Sequence, residues 1–229
     1  MRLLAFDTSG PSLSAAAHEG GRLVHRFEPL ARGHAELLLP LLREVLTEAG
    51  WRWQDVGLVA VTLGPGNFTG LRAGIAVARA LRLALGCRTL GVGTLEVIAR
   101  GAAEQAGRRG LPIVAALDAR RGEVYAQRFT ADLVPLEPPA VLTREALLVL
   151  LEGQACVIGG DAAPWLPPGF HAVHEVVESG PDARYLVQAA RGRLAGEADQ
   201  APEAVLRPLY IRPPDARPSA GASLVAAAR

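Results

Sequence analysis

The stretch LLAFDTSGPSLSAAAHE, starting at Leu3, returns in altered form in the second half of the chain as IVAALDARRGEVYAQRF, starting at Ile113. Each copy reads as an apolar strand ending in an aspartate, a tight turn containing glycine, and a second strand of alternating character. Asp118 takes the place of Asp7. A repeat of this length restricts the chain more than any other feature, because two halves that repeat a strand–turn–strand unit are expected to repeat the fold built on it. With 229 residues and half of them apolar, the chain is long enough for two lobes of about a hundred residues each.

The first half continues in a regular way. After the hairpin, RLVHRFE supplies a third strand, a helix is expected from about His34 to Glu48, and VGLVAVTL is a strand. Next come a glycine-rich loop, a helix to about Leu85, the strand RTLGV and a helix through about Ala106, giving the order βββαβαβα. GRRGLP, at 107–112, is a polar break of the kind that separates lobes. The second copy has a third strand near 140–142, a helix from Arg144 to Leu151, the strand ACVIGG and a last helix from about Asp182 to Leu194, so it is shortened. The expected division is an N-terminal lobe over 1–107, a C-terminal lobe over 108–213 and a flexible tail over 214–229. An α/β chain of duplicated βββαβαβα lobes, each with an aspartate at its first hairpin, resembles the actin, sugar-kinase and Hsp70 superfold, where twin hairpins grip ATP phosphates. The turns here, DTSGPS and DARRG, lack the glycine spacing of those enzymes, and fold alone does not give function.

Charge and cysteine content narrow the setting. Twenty-four basic residues against 23 acidic ones give a net charge of +1, without the global electrostatic footprint of a stand-alone nucleic-acid binder. Cys87 and Cys156 lie in apolar surroundings far from any CxxC pattern, as thiols in a reducing compartment do. No apolar run reaches bilayer length. A cytoplasmic protein without a membrane contact is expected.

LGPGNFTGLRAG, residues 63–74, has the look of a phosphate loop, since glycines closing a strand and opening a helix let backbone N–H groups approach an anion. Its GxGxxxG spacing fits neither the dinucleotide fingerprint nor the ATP P-loop, and the chain has no lysine. Two readings stand. One is a weak nucleotide or anion contact through Asp7, Gly64, Gly66, Thr69, Arg72 and Asp118; the other is a tight strand-to-helix turn capped by Asn67 or Thr69.

Other catalytic chemistry finds little support. Ser9, Ser12 and Ser14 lie beside a strand turn without a nucleophile-elbow context. His171 and His174, three apart in a stretch that reads as strand or loop, would point to opposite faces, which argues against a zinc pair. Asp7, Asp118, Glu123 and Asp161 could gather near an interlobe cleft as acid/base carboxylates do, although Glu123 fits a hairpin surface equally well. No catalytic or metal-binding residue is assigned.

The helices over 36–49 and 70–85 carry apolar residues around more of their circumference than one core contact needs. Either both are buried in a large core, or they offer a surface to a partner protein. The residues expected at such a surface are Leu38, Leu41, Leu42 and Val45 on the first helix and Leu71, Ile75, Ala78 and Leu81 on the second.

LLAFDTS, RGHAELLLPLL, GPGNFTGLRAG, TLGVGTLEVIARG, ALDARRGEVYAQRF and PLYIRP occur in the order and near the spacing found in the bacterial TsaB (YeaZ) family, and the resemblance covers residues 1–213. It implies an actin-superfold protein that has lost catalytic machinery. Such a protein pairs with its paralogue TsaD, which transfers a threonylcarbamoyl group to the adenosine beside the anticodon of ANN-decoding tRNAs, and the ATPase TsaE joins the pair. The metal-holding HxxxH of TsaD corresponds here to Thr94 and Ile98, neither of which can replace a histidine ligand. The resemblance further implies that the two apolar helices pack against the same helices of TsaD, or of a second copy when TsaD is absent. It also implies that tRNA is met through the complex, and that ATP and Mg are used by the complex while this chain alone binds no cofactor. The alternative classes are a small-molecule kinase of the actin superfold and a metallopeptidase-like hydrolase.

Overall fold

The computed structural model describes residues 1–30, 32–107, 110–161, 163–196 and 206–212; the tail expected over 214–229 lies outside them. The first half holds β1 (Leu3–Asp7), β2 (Ser12–Glu19), β3 (Arg22–Pro29), α1 (His34–Ala49), β4 (Leu58–Thr62), α2 (Phe68–Leu85), β5 (Arg88–Val92) and α3 (Thr94–Gln105). The second holds β6 (Ile113–Arg120), β7 (Glu123–Phe129), β8 (Ala140–Thr143), α4 (Arg144–Leu151), β9 (Val157–Gly160), α5 (Phe170–Val173), β10 (Glu175–Val177) and α6 (Ala183–Gly196).

The duplication appears in the topology. The first sheet has the order β3-β2-β1-β4-β5 and the second, read from β8, the order β8-β7-β6-β9-β10. In both, the first three strands of the half form an antiparallel meander, and the two later strands add in parallel to the edge of the first. β10 is a fifth strand that periodicity does not reveal, since three residues are too few to show alternation. Two helices are shortened in the second half: α4 has 8 residues against 16 in α1, and α5 between β9 and β10 has four against 18 in α2. The stretch around His171, whose pattern reads as strand or loop, is α5.

Strands β1 and β4 are buried along their whole length, as central strands covered on both faces must be. Leu4 and Phe6 face α1 and α2, while Leu3 and Ala5 face the other way, onto α6. The helix caps obey simple rules. Asn67 accepts a hydrogen bond from the Gly70 N–H at the start of α2, and Gly50 closes α1 in the left-handed region at φ 76°.

The two halves exchange helices. α3, from the first half, packs on β6 and β9 through Leu95, Ile98, Ala99 and Ala102. α6, from the second half, packs on the first sheet through Tyr185, Leu186, Val187, Ala189 and Ala190. The two helices also pack on each other, where a Cβ at Gly101 would run into the Tyr185 ring. Burying a large side chain of this kind contributes on the order of 1.5–3 kcal/mol, so each sheet depends on the other half for one of its covers. Asp182 ties the start of α6 to the first sheet: its carboxylate lies 2.9 Å from His25 Nε2 of β3 and pairs with Arg184. Beside it the Ala183 N–H donates to Ser14 Oγ of β2.

Candidate functional site

The glycines of the 63–74 loop are occupied by the protein itself. A Cβ at Gly66 would collide with the Ser9 carbonyl, one at Gly70 with the Thr8 carbonyl, and one at Gly74 with the Thr8 hydroxyl. The turn after β1 lies against the start of α2 in the space these glycines leave open. It is held there by the Asn67 N–H donating to Ser9 O at 2.7 Å and the Thr8 hydroxyl donating to Gly70 O at 2.8 Å. The loop forms the capped turn, and Asn67 is its cap.

Asp7, at the centre of this arrangement, is completely buried. Its Oδ1 accepts hydrogen bonds from the Ser9 and Thr62 hydroxyls, both at 2.5 Å, and the Ser9 N–H donates to both carboxylate oxygens. Burial pushes its pKa above the usual carboxylate value, against the lowering effect of the Ser9 and Thr62 hydrogen bonds. From the other side His34 closes the turn. Its Nε2 lies 3.1 Å from Gly10 O and 3.2 Å from Ser12 O, and since both neighbours are carbonyls, that nitrogen carries the proton. Sequence gives no sign of this role for His34, as a histidine opening a helix is ordinary. Pro181 lies over Gly10, leaving no space for a Cβ there.

The second turn is different. Asp118 is partly exposed, accepts the Arg120 N–H at 2.7 Å and pairs loosely with the Arg120 guanidinium at 3.6 Å. Its own N–H donates to Asp161, and Glu123 pairs with Arg212. Arg120 and Arg121 at the tip both have positive φ, 63° and 60°. Asp7 is therefore sealed apart from Asp118, Glu123 and Asp161. A cleft of about 410 Å³ does open between the halves, where Asp161 and Glu178 face Pro11 and Pro181. Among the described residues no group of three or more His, Cys, Asp or Glu could hold a metal ion. Thr94 and Ile98 are fully buried, Ile98 within the core of the second sheet. His174 is buried beside the Cys156 thiol, with Nδ1 3.2 Å from Sγ; burial lifts that thiol to about 11 and lowers the imidazole, which favours the neutral form of both.

The eight residues expected at a partner surface face inward. Leu38, Leu41, Leu42, Val45, Leu71, Ile75, Ala78 and Leu81 are all buried. All but Leu71 belong to the core over the first sheet. The correction has a simple cause: one face of each helix meets a sheet of large residues, and the largest side chains take that face. On α1, Leu37 and Leu39 are the exposed large apolar side chains; on α2 they are Phe68 and Leu83, the latter 90% exposed. At 100° per residue the exposed half of α2 divides in two. Ala73, Ala80 and Ala84 form one flank, with Ala76 and Leu83 on the crest, while Phe68, Arg72 and Arg79 form the other.

The second flank meets a segment that sequence pattern does not place. Residues 206–212 run beside α2 as a strap. The Leu209 N–H donates to Leu63 O at 2.7 Å, Arg79 donates to Leu206 O, and Arg72 Nε donates to the Tyr210 hydroxyl at 2.9 Å. Of the six residues expected to contact an anion, Gly64 is buried under the Leu209 carbonyl, Gly66 holds the first turn, and Thr69 and Arg72 are exposed.

Comparison with known proteins yields a consistent set. The family model for TsaD, tRNA N6-adenosine threonylcarbamoyltransferase, matches residues 28–140. The tRNA threonylcarbamoyladenosine biosynthesis protein TsaB of Escherichia coli is 38% identical over 132 residues, 58% of this chain and 56% of that protein. The chain thus spans little more than half the length of that relative. An uncharacterized protein of Mycobacterium tuberculosis is 37% identical over 95% of both chains. The crystal structure of YeaZ from Pseudomonas aeruginosa superposes with a TM-score of 0.79 at 30% identity, covering 91% of this chain and 99% of that one.

Proposed function

The chain belongs to the TsaB (YeaZ) family, and on that premise we propose that it is a non-catalytic partner subunit in the formation of threonylcarbamoyladenosine in ANN-decoding tRNAs. In this reading it binds and activates TsaD, enables TsaE to dock, and pairs with a second copy when TsaD is absent. ATP and Mg are used by the complex and not by this chain alone, tRNA is met through the complex, and the protein acts in the cytoplasm.

The observation that carries the reading is the state of Asp7. A carboxylate that works through a metal or a phosphate needs free lone pairs and access to solvent. Asp7 has no such access, because it is completely buried, two hydroxyls and an N–H donate to it, and the turn around it fills the glycine loop. The partner surface in this reading is the outer face of α1 and α2: Leu37 and Leu39, with the alanine flank and Leu83. Small residues let a second helix approach closely, and interface centres are apolar with few charges.

Association with TsaD, measured by titration of purified proteins, tests it. Ala80→Glu and Leu83→Glu place charge in the surface and are expected to weaken association at least about tenfold, equivalent to about 1.4 kcal/mol, with the melting temperature nearly unchanged. Leu42→Arg, by contrast, is expected to unfold the chain. Normal TsaD binding by both surface variants sinks this interface. Mg-dependent ATP binding by the isolated chain that Asp7→Asn abolishes would support a kinase instead.

A further inference from the structure

We propose that the strap side of α2 is a docking surface for single-stranded RNA, with bases stacking on Tyr210 and on the Phe68–Arg72 pair and phosphates meeting Arg72, Arg79 and Arg207. Phe68 is 51% and Tyr210 46% exposed, their ring centroids 5.5 Å apart and tilted by 31°. The Arg72 guanidinium lies 3.7 Å over the Phe68 ring while it donates to the Tyr210 hydroxyl. That fixes a planar cation on one aromatic and beside another, with both rings about half exposed. Nucleobases stack on such planes whatever their identity.

The charges on this flank have no internal counterpart. Several other arginines are matched by carboxylates: Arg26 by Glu48, Arg128 by Glu137, Arg184 by Asp182 and Arg193 by Glu96. Arg22 and Arg144, which donate to backbone carbonyls, lie elsewhere and without an aromatic pair beside them. Among the described residues, Arg72, Arg79 and Arg207 have no carboxylate partner; Arg72 and Arg79 donate to a hydroxyl and a carbonyl, which leave their charge in place. In a chain of net charge +1, three uncompensated cations on one ridge form a local positive surface. Seven residues of helix set Arg72 and Arg79 about 10 Å apart on the same side of α2, and Arg207 lies on the adjacent strap. A track of cations beside aromatic faces is the combination that holds a flexible, phosphate-bearing strand. A duplex hides its base faces and cannot use the stacking half.

The choice of RNA over DNA rests on the reading of the chain as a tRNA-modification subunit; the stacking and the charge do not. Tyr210 and Arg207, the residues varied below, lie on the strap and outside the α1–α2 face proposed for TsaD, so the two proposals can fail independently.

The test uses the full chain and end-labelled oligouridylate and oligoadenylate of about twelve nucleotides, monitored by fluorescence anisotropy across a salt series. Binding is expected in the tens of micromolar range at about 50 mM salt, with a log–log salt slope of about −2 for three phosphate contacts. Tyr210→Ala is expected to weaken it at least about fivefold, and Arg207→Glu to flatten the slope, both with melting temperature and TsaD association unchanged. RNA duplex of the same length is expected to bind more weakly, and the matching DNA strand no better than the RNA. The proposal is overturned by absence of binding at low salt, by equal binding of duplex, by preference for DNA, or by variants that bind RNA as the parent does. It is equally overturned if Tyr210→Ala and Arg207→Glu lose TsaD and keep RNA, because the surface is then a protein contact.

Discussion

Asp7 and Asp118 stand at corresponding places in two copies of one sheet, Asp7 at the end of β1 and Asp118 two residues before the end of β6, on the strand that pairs with a meander on one side and a parallel strand on the other. Asp7 is completely buried and hydrogen-bonded to Ser9 and Thr62. Asp118 is partly open and paired with an arginine at the tip of its own turn. The difference arises in the segment after the neighbouring strand. After β4 the chain supplies Thr62 as a donor, then glycines that admit the turn, then 18 residues of helix to hold it. After β9 it supplies Asp161, a second acid, and a four-residue helix. Strand order alone thus decides where the turn lies, while the neighbouring loop decides whether its carboxylate is available for chemistry.

The largest effect is expected from breaking the seal at its tightest point. Gly70→Ala drives a methyl group into the Thr8 carbonyl, and with backbone on both sides the strain is expected to cost about 3 kcal/mol or more, read by chemical denaturation. Next is Asp7→Ala. It leaves two hydroxyls and an N–H without their acceptor in a closed site, at a cost of about 1–3 kcal/mol. Asp118→Ala, the matched change in the other copy, is expected to stay within about 0.5 kcal/mol. Equal losses at the two aspartates would mean that the copies do not differ in the way described.

Acid sharpens the same contrast. Pro181, which lies over the first turn, precedes Asp182, where burial raises the carboxyl but hydrogen bonds from His25 and Arg184 prevail and hold it at about 2, against an ordinary value of 3.8. The folded value lies below the unfolded one, so the stabilisation is complete above about pH 4 and is lost as pH falls towards 2, amounting to about 2 kcal/mol. Asp7 runs the other way: its pKa is raised by burial, so its charge opposes folding as pH rises above the ordinary carboxylate range. Denaturation midpoints between about pH 2 and 5 should accordingly flatten in Asp182→Asn. An unchanged slope would remove Asp182 from the acid response.

Much of the candidate site is legible in the chain, but not its meaning. The repeat about Asp7 and Asp118 marks both turns, and GPGNFTG marks the loop between β4 and α2. Nothing in the spacing says that the glycines make room for the protein's own Thr8 and Ser9 rather than for a phosphate, since both uses need a residue without a Cβ. The apolar excess on α1 and α2 is likewise visible, yet it suggests an outward role for Leu38, Leu42 and Leu81, which belong to the core. A wide apolar arc does not tell which part of it meets the sheet, and the answer depends on how the helix is rolled against strands remote in sequence.

Local pattern, which needs only neighbours along the chain, therefore determined the strand and helix order of the first half, the duplication, the side-chain cap opening α2, and the absence of lysine chemistry. Contacts between distant segments decided the rest. The exchange of α3 and α6 between the sheets, the closure of the first turn by His34 and Pro181, and the strap at 206–212 beside Arg72 and Arg79 all join residues far apart in sequence. Their partners are chosen by shape, charge and burial in three dimensions, and periodicity along one segment carries no record of them.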